Sequence, residues 1–171
     1  LVSPATLPHL WSRHFLDSAQ LLPLAPPDAR MWLDVGSGPG FPGLVLAILG
    51  VPSVHLVESD QRKSAFQREV ARATGVAHAT FHVKRIEDVS LEDLGTVPDV
   101  LTARALASPE SVLDWTAHVR GPRTTCLLPV GQGGGEALTR LRENRNITLE
   151  ELSSRSDSKS RILRIRGISR D

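Results

Sequence analysis

Cysteine is nearly missing from this chain of 171 residues, and tyrosine is missing altogether. The single cysteine, Cys126, excludes an internal disulfide framework and fits a reducing cytosol. Aromatic residues make up only 4% of the chain, too few for a broad platform on which single-stranded nucleic acid stacks. No apolar run approaches the roughly 20 residues that span a bilayer, so no membrane partner is expected. The opening LVSPATLPHL lacks the basic flank and long apolar core of a secretory signal. It begins with Leu, so we expect a chain that lacks its natural start. Excess charge of either sign is also lacking. A formal net charge of +1 neither demands nor excludes a nucleic-acid partner, because a basic face can lie opposite an acidic one.

What remains is ordinary globular material, 40% hydrophobic and 23% charged, in a length that suits one domain with one sizeable core. Residues 1–171 are expected to form that domain, with residues 1–27 as an N-terminal helical appendage. In HLWSRHFLDSAQLL, residues 9–22, Leu10, Trp11, His14, Phe15, Ser18, Leu21 and Leu22 recur at helical spacing. This predicts an amphipathic helix, ended by Pro23, Pro26 and Pro27. Apolar runs then alternate with helical segments. Strands are expected at MWLDV (31–35), VHLVES (54–59), ATFHVKRI (79–86), DVLTARAL (99–106) and RTTCLLPV (123–130). Helices are expected over 43–49, over 60–75 with Asp60 as N-cap and Gly75 at its end, from near Pro109, and over 135–145. ITLEELSS and SRILRIRGI close the chain as two strands around a polar hairpin loop, SRSDSKS. The alternation predicts a doubly wound α/β fold. Its sheet should be mostly parallel, with helices on both faces and an antiparallel C-terminal edge pair.

The densest signal is MWLDVGSGPGFPGLVLAI, residues 31–48. A glycine-rich turn after the first strand of such a sheet lets the backbone approach a ligand. The dinucleotide fingerprint GxGxxG would need glycine at 41, where the chain has Phe41, and no lysine follows Gly43 as a Walker loop requires. An acid, Asp34, followed by Gly36, Gly38 and Gly40 instead resembles the first motif of S-adenosylmethionine-dependent methyltransferases. That ligand has no pyrophosphate to seat, and its charged amino-acid tail suits a carboxylate such as Asp34, met directly or through water. Glu58, at the end of the second strand, stands where an acid accepts both ribose hydroxyls. Ile86 and Glu87, in RIED after the third strand, are placed to contact an adenine face and its exocyclic amine. Each feature alone has a bland alternative, a plain turn or a solvated strand end. Their order along one sheet favours a nucleoside-type cofactor.

Together LWSRHFLDSAQLLPL, LDVGSGPGFPGLVLAI, VHLVESDQRKSAFQREV, KRIED and DVLTARALA resemble a bacterial family. It comprises the small-subunit ribosomal RNA guanine-N7 methyltransferases, RsmG, also called glucose-inhibited division protein B. The likeness is close over residues 10–107 and looser beyond. It implies a Rossmann-like methyltransferase sheet, S-adenosylmethionine as cofactor, a guanine in 16S ribosomal RNA or the small ribosomal subunit as substrate, and a cytoplasmic monomer with no metal. Carried over, Gly36 and Phe41 line the methionine side, Ile86 and Glu87 hold the adenine end, Glu58 matches the ribose acid, and Arg104 stands at the mouth of the site. Arg13, His14 and Asp17 share a helix face. The bland alternative for them is a surface ion pair, while the motif implies that they shape the substrate side, His14 by orientation only. Arg13, Arg62 and Lys63 are candidate RNA contacts. Arg62 and Lys63, like Arg68, Arg72, Arg140, Arg142 and Arg145, lie on basic helices whose bland reading is a solvated face.

Two departures stand out. The family has a further N-terminal helical stretch, and Val130 occupies the place of a lysine that follows its fifth strand. The competing readings are a methyltransferase of another substrate, a cofactor-binding module that has lost RNA binding, and, more distantly, a nicotinamide dehydrogenase. The chemistry asks little of the protein. Guanine N7 has a free lone pair, so in-line positioning replaces a strong base, and Cys126, inside a predicted strand, reads as a buried hydrophobe.

Overall fold

The computed structural model describes residues 2–131, 135–144 and 147–167. Seven strands form one sheet in the order β3-β2-β1-β4-β5-β7-β6. They are β1 (Met31–Val35), β2 (Ser53–Val57), β3 (Ala79–His82), β4 (Val100–Ala103), β5 (Thr125–Val130), β6 (Thr148–Ser153) and β7 (Arg161–Arg166). β1 to β5 run parallel, and β7 pairs antiparallel with both β5 and β6. The alternation of strand and helix and the C-terminal antiparallel pair are therefore as expected from the sequence.

Period-two alternation sorts each central strand into two cores. Leu33, Val35, Leu101, Ala103, Cys126 and Leu128 join one cluster, with Val112, Leu113, Leu138 and Leu141 of the helices α5 (Pro109–Trp115) and α6 (Gly135–Asn144). Trp32, Val54, Leu56, Val100 and Leu127 join the other, with residues of α2 (Gly43–Ile48) and α3 (Gln61–Thr74). α3 starts at Asp60, whose side chain accepts from the backbone N–H groups of Arg62 and Lys63, and ends at Gly75 with φ 71°. Those caps match the sequence expectation. Among the described residues, no helix is long and apolar enough to cross a membrane.

Several expectations need correction. The expected strands 54–59, 79–86 and 99–106 stop at Val57, His82 and Ala103. Beyond those residues the chain leaves the ladder to line a cavity. Ile86 falls in a 3-10 turn, Ile86–Asp88, and a short helix α4 (Leu91–Leu94) with a capping box at Ser90 and Asp93 follows it. The N-terminal helix starts earlier and is wound irregularly. A 3-10 stretch covers Pro4–His9, a π-helix Trp11–Leu16, and one α turn, α1, Asp17–Ala19. Pro23 does not end a continuous helix but lies inside a further 3-10 turn, Leu22–Leu24. The π winding breaks the 3.6-residue register. Trp11, expected on the buried face, is 75% exposed and lies tilted against Phe15, ring centroids 4.6 Å apart.

Candidate functional site

A cavity of about 670 Å³ opens at the carboxyl ends of the parallel strands, a size typical of small-molecule sites. Turns that follow β1, β2, β3 and β4, together with the end of β5, line it. Gly36, Gly38 and Gly40 have φ of 65°, 55° and 103°, where a side chain is disfavoured. A Cβ on Gly36 would lie 2.6 Å from Leu106 Cδ1, whereas one on Gly38 would meet only a carbonyl oxygen at 4.0 Å. The exposed Leu106 side chain could shift aside, so at both positions it is the left-handed turn that demands glycine.

Glu58 holds this turn. Its Oε2 accepts the Gly38 N–H at 2.9 Å, and its Oε1 accepts the Asp60 N–H at 2.9 Å. Each carboxylate oxygen keeps a lone pair for a further donor. Gln67, fully buried on α3, donates from Nε2 to the Gly38 carbonyl at 2.6 Å and to Ser37 Oγ at 2.8 Å. Its role is invisible in a helical pattern that reads QREV as one more polar turn.

Asp34 does not reach the cavity. It is 1% exposed, its Oδ2 accepts the Gly43 N–H at 2.8 Å, and its Oδ1 accepts the Thr102 hydroxyl at 2.9 Å. Burial pushes its carboxyl up to about 7, against the opposing effect of those two bonds. The expected contact with a ligand's charged tail is replaced by ties to α2 and β4. Gly40 also stands off the cavity, since a Cβ there would lie 2.5 Å from Leu44 Cδ1.

Arg104, one residue past β4, forks into the N-terminal segment. Nη1 donates to the Arg13 carbonyl at 2.9 Å and to Asp17 Oδ2 at 3.4 Å, and Nη2 donates to His14 Nδ1 at 3.0 Å. A guanidinium only donates, so Nδ1 accepts, and the His14 proton sits on Nε2, facing Thr6 Oγ1 at 2.9 Å. The Thr6 hydroxyl in turn donates a hydrogen bond to the Ser3 carbonyl at 2.8 Å. Burial, and then the Arg104 charge, hold the His14 pKa below its ordinary value, consistent with a neutral ring. The Arg104 guanidinium also lies 5.3 Å over the Phe41 ring. Ala105 follows with φ 52°, a left-handed turn that the motif TARAL did not reveal.

The cavity thus gathers Gly36, Gly38, Phe41, Glu58, Ile86 and Glu87 on its strand-end turns, and Arg13, His14, Asp17 and Arg104 beside them. Val130 contributes an apolar wall where the resemblance would place lysine. Of the candidate RNA contacts on α3, Lys63 lines the cavity, whereas Arg62 is exposed and absent from its lining. Arg13 is tied by an ion pair to Asp157 at 2.7 Å. Arg68 packs over Phe81, Arg72 pairs with Glu69, and Arg142 pairs with Glu151. Arg145 and the side chain of Arg140 lie outside the described residues. The sequence reading missed Thr6 and the β6–β7 loop residues Ser156, Asp157 and Ser160, which also line the cavity.

Comparison with known proteins gives the family of the chain. The family model GidB, described as rRNA small subunit methyltransferase G, matches residues 1–161. A protein of Rhodospirillum centenum named ribosomal RNA small subunit methyltransferase G is 48% identical over 96% of this chain and 74% of its own length. One of the same name from Parvibaculum lavamentivorans is 49% identical over 98% of this chain and 75% of its own length. Among solved structures, a SAM-dependent methyltransferase from Aquifex aeolicus superposes with a TM-score of 0.69 at 14% identity. It covers 99% of this chain and 100% of that one. An rRNA methylase from Streptococcus thermophilus gives 0.64 at 11% identity, covering 99% of each chain. These two show the likeness of fold.

Proposed function

Because the chain belongs to the GidB family of rRNA small subunit methyltransferase G proteins, we propose that it transfers a methyl group to N7 of a guanine in 16S ribosomal RNA, in the cytoplasm, with S-adenosylmethionine as donor. The observation that carries this reading is Glu58. Its two oxygens are each fixed by one backbone N–H and border the cavity, so a pair of vicinal hydroxyls can be held without moving the acid. The glycine turn leaves room for a thioether chain, while Ile86 and Glu87 offer an apolar face and an acceptor for an adenine ring. When bound, the cofactor supplies an electrophilic methyl carbon on its sulfonium.

The protein's own residues then have positional work. Arg104, locked on Arg13, His14 and Asp17, sets the side of the cavity where the base enters. Neutral His14 keeps that fork in place and is not required as a base, since guanine N7 has no proton to lose. Attack moves positive charge onto the purine. An arginine already engaged by an acid, a carbonyl and an imidazole opposes that charge less than a bare cation would. With no proton to remove, the site would need only to place the methyl donor and N7 in line.

Calorimetry with S-adenosylhomocysteine, and separately with NADH, tests the cofactor. Labelled methyl transfer to unmethylated small-subunit RNA and to assembled subunits tests the substrate. Binding of S-adenosylhomocysteine without transfer to either RNA would overturn the substrate assignment. Preference for NADH would overturn the whole reading.

A further inference from the structure

The loop 154–160 between β6 and β7 is polar throughout, yet it is held from several sides. Gln20 Nε2 donates to Ser154 Oγ at 3.1 Å, and Gln20 Oε1 accepts the Arg155 N–H at 2.7 Å. Asp17 Oδ1 accepts the Ser156 hydroxyl at 2.7 Å, and Arg13 pairs with Asp157 at 2.7 Å. Asp157, the loop's only acid, also accepts the Lys159 N–H at 2.9 Å and the Ser160 hydroxyl at 3.0 Å. Arg161, just beyond, donates to the carbonyls of Ser158 and Ser160 at 2.9 Å each.

All of these bonds use backbone groups, hydroxyls, Gln20, or the charges of Arg13, Asp17, Asp157 and Arg161. The side chains of Arg155 and Lys159 take part in none of them. Both residues are exposed, and among the described residues neither side chain has a hydrogen-bond or ion-pair partner. Asp157 is already satisfied, so it does not offset them. Two uncompensated cations therefore stand on a braced loop, three of whose other residues, Ser156, Asp157 and Ser160, border the cavity. Farther along α3, past Arg62 and Lys63, the cations are engaged. There Arg72 is paired with Glu69, and Arg68 is packed on Phe81 and bonded to its carbonyl.

We propose that the β6–β7 loop is a phosphate grip: Arg155 and Lys159 engage the backbone of the RNA strand beside the target base as that base enters the cavity. This rests on the reading of the cavity as an RNA methylation site. Phosphate contacts fix register without reading sequence. The bracing gives the grip a fixed distance from the chemistry, because Asp17, which holds the loop through Ser156, also holds Arg104.

The test is binding of unmethylated small-subunit RNA across a salt series by the wild type, by Arg155→Ala/Lys159→Ala and by Arg68→Ala/Arg72→Ala. With about one counterion released per contact, the loop variant should lose about 1.4–1.8 from the slope of log affinity against log salt. Its KM for RNA should rise about tenfold, with kcat at saturating RNA, S-adenosylhomocysteine affinity and melting temperature held. Arg155→Lys, which keeps the charge, should retain the wild-type slope. The α3 variant should behave as wild type. A loop variant with an unchanged slope overturns the grip, as does one whose cofactor affinity falls in parallel, because the loop would then act only as a brace. A wild type that binds S-adenosylhomocysteine and methylates no RNA overturns the underlying reading, and the grip with it.

Discussion

Glu58 ties the glycine turn to the start of α3, and in our proposal the same carboxylate also holds a ligand. Both oxygens face backbone donors, so Glu58→Gln would turn an amide N–H₂ toward a backbone N–H and leave that pair unmet. Each lost charge-assisted bond is worth about 1.5–3 kcal/mol, so S-adenosylhomocysteine affinity should fall at least about tenfold by calorimetry. Unchanged affinity would contradict the ribose role. Asp34 makes the opposite case. With its carboxyl raised from 3.8 to about 7, the folded chain keeps a proton that the unfolded chain has released. The resulting stabilisation is complete below about pH 4 and is lost as the pH rises through about 7. Asp34→Asn keeps an oxygen for the Gly43 N–H and gains an amide that can donate to Thr102. Melting curves of the variant should lack this decline, and S-adenosylhomocysteine should still bind. A folded variant that has lost binding would show that the carboxylate serves the ligand after all. Arg104→Lys keeps the charge but cannot reach the Arg13 carbonyl, Asp17 and His14 together. Turnover on ribosomal RNA should drop about ten- to a hundredfold, close to Arg104→Ala. Wild-type turnover in the lysine variant would show that charge alone suffices.

Among the elements, the strands were the most legible, because MWLDV and its neighbours are buried on both faces and leave no polar alternation to misread. α3 was legible to its caps, since Asp60 and Gly75 act through bonds and dihedrals that local sequence determines. The glycine-rich turn was readable as a turn, but the inward rotation of Asp34 was not, because Thr102 lies 68 residues away. The π winding of Trp11–Leu16 was equally hidden. The Arg13 carbonyl within it is claimed by Arg104, a contact 91 residues distant that no local period encodes. The β6–β7 loop is the extreme case. SRSDSKS reads as solvent-facing filler until Gln20 is found 134 residues earlier, bonded to it. Gln20→Leu should free that loop, leaving the Arg155 N–H and Ser154 without their partner at a cost of about 1–3 kcal/mol. Faster hydrogen exchange confined to 154–160, with lower kcat/KM on RNA and intact S-adenosylhomocysteine affinity, is the expected outcome. Exchange rates equal to wild type would mean that Asp17 and Arg13 brace the loop unaided.

At the scale of the whole molecule, the sheet order places β1 between β2 and β4, so the chain reverses its direction of travel across the sheet between β1 and β4. The turns after those two strands part at such a point and leave a crevice at their carboxyl ends. Here the crevice holds Gly36 from one turn and Arg104 from the other. The N-terminal segment and the β6–β7 loop, at opposite ends of the described chain, meet beside it through Arg13, Asp17 and Gln20. A ligand in this crevice therefore touches turns from the middle of the sheet and selects the folded state over the unfolded one. S-adenosylhomocysteine at about a hundredfold excess over its Kd should add about 2.7 kcal/mol of stability. For a chain of this length that corresponds to a rise in Tm of about 5–11 °C. NADH at the same concentration should leave Tm unchanged, because Phe41 stands where its pyrophosphate turn needs glycine. An equal rise with both ligands would mean that the crevice recognises only the shared adenosine. Glu58 and Ile86 would then carry the binding, and the methionine side of the cavity would contribute nothing to selectivity.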